Sequence, residues 1–148
     1  MDFKLTKKAY DNSLSPIYQS DNYDECWFLE IGGKKFIFLI NSEIELPPTD
    51  VYSDDNIIFF EINNIIFLIS RKNGSLLFVS RLFDDFSQIM VTHNVYVVIT
   101  DTTIMLISKY SYAVIKVAIF PDTIFTVDIQ ERKIILKTLE EECFEVIL

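Results

Sequence analysis

The chain has 148 residues, half of them hydrophobic and 14% aromatic, with 22 Asp and Glu against 13 Lys and Arg. Its formal charge of −9 and pI near 4.5 set it against a nucleic-acid partner, because a phosphate backbone would bring like charges together. So much apolar side chain excludes general disorder, and three glycines leave little for a Gly-rich phosphate loop.

The length fits a single all-β domain over 1–148, able to bury about two-thirds of its unfolded surface. No apolar run approaches the roughly 18 residues of a membrane helix, and MDFKLTKKAY lacks the apolar stretch of a signal peptide. The expected compartment is therefore the reducing cytosol, with Cys26 and Cys143 as reduced, buried thiols.

Residues 1–24 are polar. Phe3 and Leu5 suit a short edge strand, and the rest reads as a loop draped over a sheet. From residue 25 to 148 the chain is a series of hairpins. The first, Cys26–Ile31 and Phe36–Ile40, turns at Gly32-Gly33. SEIELPPTDVYS follows as a connection and not a central strand, since Pro47-Pro48 cannot donate to a ladder. Next comes the stretch around which the chain is organised, residues 54–81. Three apolar runs there, Ile57–Ile62, Ile65–Ile69 and Ser75–Val79, are separated by Asn63-Asn64 and Asn73-Gly74. Asn and Gly accept the left-handed backbone of two-residue hairpin turns, so the stretch predicts an antiparallel meander. The later strands are Ser87–Val91, Asn94–Ser108 as a hairpin, Tyr112–Ile119, Ile124–Lys137 as a hairpin, and Cys143–Ile147. Leu82–Met90 also admits a helical turn.

The hairpins repeat. Phe28-Leu29-Glu30-Ile31 matches Phe59-Phe60-Glu61-Ile62, and Asn94–Ser108 copies Asn56–Ser70 at a distance of 38 positions. A weaker copy is expected over Ile124–Lys137. Runs such as Ile57-Ile58-Phe59-Phe60 and Val95-Tyr96-Val97-Val98 are apolar on consecutive residues, so both faces of those strands require cover. The pattern of 54–81 resembles a β-propeller blade, although the Gly-His and Trp-Asp signatures of the WD-repeat family are absent. The expected fold is all-β, with antiparallel meanders arranged as a partial propeller or a β-sandwich.

Candidate chemistry is sparse. His93 stands alone in a turn, without the ligand cluster of a metal site. No nucleophile elbow, C-x-x-C or P-loop occurs, and nothing calls for a cofactor. Asp54-Asp55 and Asp84-Asp85 offer carboxylate pairs, but adjacent acids in a turn are the ordinary composition of a solvated loop. Trp27 suits core or rim packing. Charge placement says more. Antiparallel connections alternate between sheet ends, and counting from Asn56 gathers 63–64, 82–86, 100–102, 120–122 and 139–142 at one end. That end carries Asp84, Asp85, Asp101, Asp122, Glu140, Glu141 and Glu142, and no Lys or Arg. The other end, with Asp54, Asp55, Arg71, Lys72, Lys109, Glu131 and Arg132, is nearly balanced. Such a rim is either a solubility device or a docking surface for a basic protein.

In overall profile, a small acidic all-β chain without chemistry of its own resembles the immunity proteins of bacterial contact-dependent growth inhibition. The resemblance implies an inhibitor of one basic nuclease toxin that covers its active site, with acids standing where nucleic-acid phosphates would bind. It carries no motif, so no residue role comes with it. The alternative is a propeller-like scaffold that binds peptides or proteins, and an enzyme is a third reading.

Overall fold

In a computed structural model the described residues are 3–12, 14–41 and 49–148. Among them are fifteen strands and no helix, hence none long and apolar enough to cross a membrane. The strands form four sheets in two compact units, 1–80 and 81–148.

In the first unit one sheet has the order β1-β3-β4-β2, from Phe3–Lys7, Glu25–Ile31, Lys34–Ile40 and the two-residue Tyr18–Gln19. The other has the order β5-β6-β7-β8, from Thr49–Ser53, Ile57–Ile62, Ile65–Ser70 and Leu76–Arg81. The second unit has a sheet of β9 (Phe86–Val91), β10 (Val95–Thr100), β11 (Thr103–Ser108) and β12 (Val114–Ile119), and one of β13 (Ile124–Ile129), β14 (Lys133–Thr138) and β15 (Cys143–Ile147). Every pairing is antiparallel except β2 with β4. Each sheet after the first is a meander of neighbouring strands, the form of a propeller blade.

Two apolar faces stack because neither survives alone in water. In the first unit Trp27, Leu29, Phe38 and Ile40 meet Ile58, Phe60, Ile62, Ile65, Phe67 and Ile69. The Phe60 and Phe67 rings stack 5.2 Å apart, and Phe38 sets its edge against both. Burying one such ring stabilises by about 3 kcal/mol. The reverse face of β3–β4, with Cys26, Phe28, Ile37 and Leu39, is covered by Tyr10 of the N-terminal segment. That segment drapes over the sheet as its polarity suggested, but it is not all loop, since Tyr18–Gln19 adds a short parallel strand to the edge of β4. It is held by Ile17 N–H and Ser20 N–H donating to the carbonyls of Ile37 and Leu39 at 2.9 and 2.8 Å. In the second unit Val95, Val97, Ile99, Ile104 and Leu106 pack with Ile134, Leu136 and Val146.

Some expectations shift. Residues 42–48, including Pro47-Pro48, lie outside the described residues, but Thr49–Ser53 is an edge strand and not merely a connection. Leu82–Met90 resolves as a loop and β9, without a helical turn. Asn63 and Asn64 hold φ of 50° and 60°, the two-residue hairpin that Asn permits. Asn73-Gly74 is not such a turn. The chain needs 71–75 to reverse, with Gly74 N–H donating to Ser70 O at 2.8 Å. Thirty-eight positions later Tyr112 (φ 56°) donates to Ser108 O in the same way. The fourth hairpin copy also moves: β10 begins at Val95, and 38 positions on lies Lys133, the start of β14, so β14–β15 and not Ile124–Lys137 is the copy. Alternating burial on β14 and a longer turn at 139–142 hide the match.

Cys26 is buried, and burial, followed by the nearby Asp11 charge, raises its pKa. Cys143, expected buried, is exposed because it opens β15 on that sheet's outer face. A thiol reagent on the native chain is expected to modify Cys143 at once and Cys26 only after unfolding. Equal rates would contradict the packing of Tyr10 over β3. A Cβ at Gly74 would overlap the Phe36 ring and strain a left-handed backbone. Gly74→Ala is therefore expected to cost about 2 kcal/mol or more in urea unfolding, whereas Tyr112→Gly, which relieves a left-handed backbone, is expected to cost less.

Candidate functional site

The loops of the second unit that carry the acids are bonded to one another. Asp101 N–H donates to Asp85 O at 3.0 Å, Ile124 N–H to Asp101 O at 2.7 Å and Phe120 N–H to Thr102 O at 2.8 Å. Leu139 N–H donates to Thr123 O at 2.9 Å. Loops 82–85, 101–102, 120–123 and 139–142 thus form one surface, and Asp84, Asp85, Asp101, Asp122, Glu140, Glu141 and Glu142 all belong to it. The 63–64 turn belongs to the first unit. There Asn63 Nδ2 donates to Glu25 Oε2 at 3.1 Å, beside Trp27 Nε1 at 3.0 Å, while Lys7 holds Oε1 at 2.8 Å. Burial works to raise the Glu25 pKa, but those bonds and the Lys7 charge outweigh it and leave it lowered. It is a closed structural network.

The seven acids are not equivalent. Asp84 Oδ2 accepts Thr102 N–H at 2.8 Å and also the Thr102 hydroxyl. Asp122 Oδ2 accepts Glu140 N–H at 2.9 Å. These two half-buried carboxylates tie the loop entering each sheet to the turn of its central hairpin. They stand 38 positions apart and each reaches 18 positions forward, so the repeat period itself marks them as structural. Asp85, Asp101, Glu140, Glu141 and Glu142 are exposed. Asp101, though exposed overall, loses some hydration in its loop and faces the Asp85 and Asp84 charges, and its pKa is raised.

Between the acids stand large apolar side chains: Phe83 (86% exposed), Phe125 (67%) and Leu139 (58%). Most exposed large hydrophobics among the described residues lie in 81–148; only Leu14 and Tyr23 lie earlier. Acid counting missed them, yet two adjoin the acids in the sequence, as in Phe83-Asp84-Asp85 and Leu139-Glu140, and Phe125 follows Asp122 by three positions. The opposite end of this unit is different. Lys109 lies over the Tyr96 ring and Tyr110 Oη donates to Asn94 Oδ1. His93 is exposed there in its turn. Among the described residues no group of three or more His, Cys, Asp or Glu is placed to hold a metal. Asp54, of the carboxylate pair Asp54-Asp55, accepts Asn56 and Ile57 N–H at 2.8 and 2.9 Å, so it shapes its turn.

Asp84→Ala is expected to lower stability by about 1–2 kcal/mol and Asp85→Ala by less than about 0.5, measured by urea unfolding. Because the folded Asp101 pKa is raised, its proton favours the fold, and that contribution is lost as pH rises through the folded pKa. Asp101→Asn is therefore expected to be the more stable chain at pH 7, by less than about 1 kcal/mol given hydration. The advantage should vanish below about pH 4, the unfolded value.

No protein-family model matches the chain, and no curated protein does. Among solved structures, the computationally designed Ika4 protein is similar over 88% of both chains, with a TM-score of 0.57 and 10% identity, which speaks for the fold alone. BamB from Moraxella catarrhalis (TM-score 0.49, 8% identity) covers 83% of this chain and 38% of its own. HIRA(644-1017) (TM-score 0.49, 11% identity) covers 98% of this chain and 52% of its own. The described chain is thus an all-β protein of stacked antiparallel meanders, alike in fold to the designed protein at low identity.

Proposed function

We propose that the chain is a protein-interaction module without catalytic chemistry, and that the loop end of its second unit binds a basic protein. The observation that carries this reading is the mixed surface itself. Phe83 and Leu139, on loops that contain no Lys or Arg, and Phe125, at the start of β13, stand out in water among seven acids. A solubility device needs acids alone and gains nothing from three protruding apolar groups. A docking surface uses both: apolar anchors supply contact area, while surrounding charge selects the partner and speeds encounter. Hydrogen bonding between the loops pre-forms the surface, which lowers the ordering cost of binding.

A narrower second reading is inhibition of one basic nuclease toxin, in the manner of an immunity protein. The acid density favours it, since carboxylates held on a rigid rim can occupy sites that take phosphate. The two readings separate on partner number: an inhibitor has one very tight partner, a scaffold several weaker ones.

The test compares partner capture by the wild-type chain and by Phe83→Ser/Leu139→Ser, then follows association kinetics with the recovered protein. Capture is expected to fail in the variant. Asp85→Lys/Glu141→Lys, which spares the two structural carboxylates, is expected to slow association by about tenfold or more at low salt. That difference should shrink near 0.15 M, where screening acts over about 8 Å. Equal capture by the Ser variant, or association indifferent to salt, overturns the proposal.

A further inference from the structure

β12 is an edge strand of a kind that soluble proteins rarely leave open. Its sequence, Val114-Ile-Lys-Val-Ala-Ile119, has one charge, and it pairs on one side only, with β11. Ala118 faces inward, packed against the second unit's core. Val117 (46% exposed) and Ile119 (71%) stand on the opposite face. The equivalent strand of the preceding sheet, β8, keeps Leu76 and Val79 packed against a core. Native edges are blunted by charge, proline or cover, and the outer part of β12 has none of these.

The backbone register says which groups are open. Phe120 N–H donates to Thr102 O, so the even-numbered residues of β12 bond to β11, with Ala118 opposite Ile104. The N–H and C=O of Val117 and Ile119 therefore point away from the sheet. Ile115 falls at a bulge, between the pairs Leu106–Lys116 and Ile107–Val114, which limits how far the open edge runs.

We propose that β12 pairs antiparallel, edge to edge, with β12 of a second copy, so that two copies share one continuous sheet across a two-fold axis at Ala118. Val117 of each copy lies opposite Ile119 of the other, and both outward-pointing pairs exchange N–H···O=C bonds. The exposed Val117 and Ile119 side chains form a four-membered β-branched ladder on one face. Charge argues for a second copy over an unrelated strand. The register that sets Val117 opposite Ile119 places loop 120–123, with Asp122 beside Glu140, against residues 113–116 of the other copy. That segment carries Lys116, whose ammonium also donates to Ile147 O at 2.7 Å, and no acid. A self-pairing edge thus places an acidic loop beside a lysine twice, while no like charges lie directly opposite. Val117 lies outside the proposed partner-binding loops, so the two proposals fail independently.

The test is sedimentation equilibrium of the full chain over a wide concentration range, with amide exchange followed at Val117 and Ile119. The wild-type chain is expected to dimerise reversibly, and the Ile119 amide to exchange faster on dilution into the monomer range. Val117→Lys sets a charge in the ladder and is expected to be monomeric throughout. Val117→Pro removes one outward donor per copy without touching the bond pattern to β11, and should weaken the dimer by about tenfold or more. Circular dichroism checks that both variants fold. A monomeric wild-type chain, exchange at Ile119 indifferent to concentration, or folded variants that dimerise like wild type each overturn the proposal. The exchange measurement on wild type decides the matter even if a variant fails to fold.

Discussion

A strand that is apolar on both faces cannot be stable until both faces are covered, and most of this structure follows from that constraint. Ile57–Ile62, Ile65–Ile69 and Val95–Thr100 are buried at every position, so no two-stranded hairpin built from them could stand alone in water. Sheets stacked on sheets resolve it. In the first unit the Phe38, Phe60 and Phe67 rings fill the space between the layers, with edge-on and stacked contacts near 5 Å that add to simple burial. The outermost face of that unit is closed cheaply, by Tyr10 and an extended segment that borrows the spare edge of β4.

The second unit solves its outermost face differently. β14 alternates, burying Ile134, Leu136 and Thr138 and turning Lys133, Ile135 and Lys137 outward, with Lys133 paired to Glu145 at 3.0 Å. An exposed pair of this kind adds little stability, but it keeps a solvated face polar. The same unit nevertheless leaves Phe83, Phe125 and Leu139 in water, and raises the Asp101 pKa by partial desolvation and then by the nearby Asp85 and Asp84 charges. Neither feature helps folding.

The repeat ties sequence to loop chemistry as well as to strands. Ser70 and Ser108, Gly74 and Tyr112, and Asp84 and Asp122 each stand 38 positions apart and make matching backbone contacts. Tyr112 accepts a left-handed conformation that Gly74 takes freely, which shows that the loop geometry is set by its hydrogen bonds and the residue accommodates it. Where the period carries a carboxylate, that carboxylate bonds backbone. Asp85 and Glu141, outside those matched positions, are exposed.

The all-β class, the hairpin at Asn63-Asn64, the copied hairpin at 94–108 and the gathering of acidic turns at one end were legible in the residues alone. Each rests on local rules: short apolar runs bounded by turn residues, the left-handed tolerance of Asn, and the reversal of direction at every antiparallel turn. Tertiary structure decided the rest. The need for glycine at position 74 of the 71–75 reversal comes from the Phe36 ring, far away in sequence, and the displaced fourth hairpin depends on which face of β14 meets a neighbouring sheet. Whether an acid is structural or free depends on which backbone N–H lies within reach, as Thr102 does for Asp84 and none shown does for Glu141. The exposure of Phe83 and Ile119 was equally hidden, because a sequence records how apolar a side chain is and not whether another strand arrives to cover it.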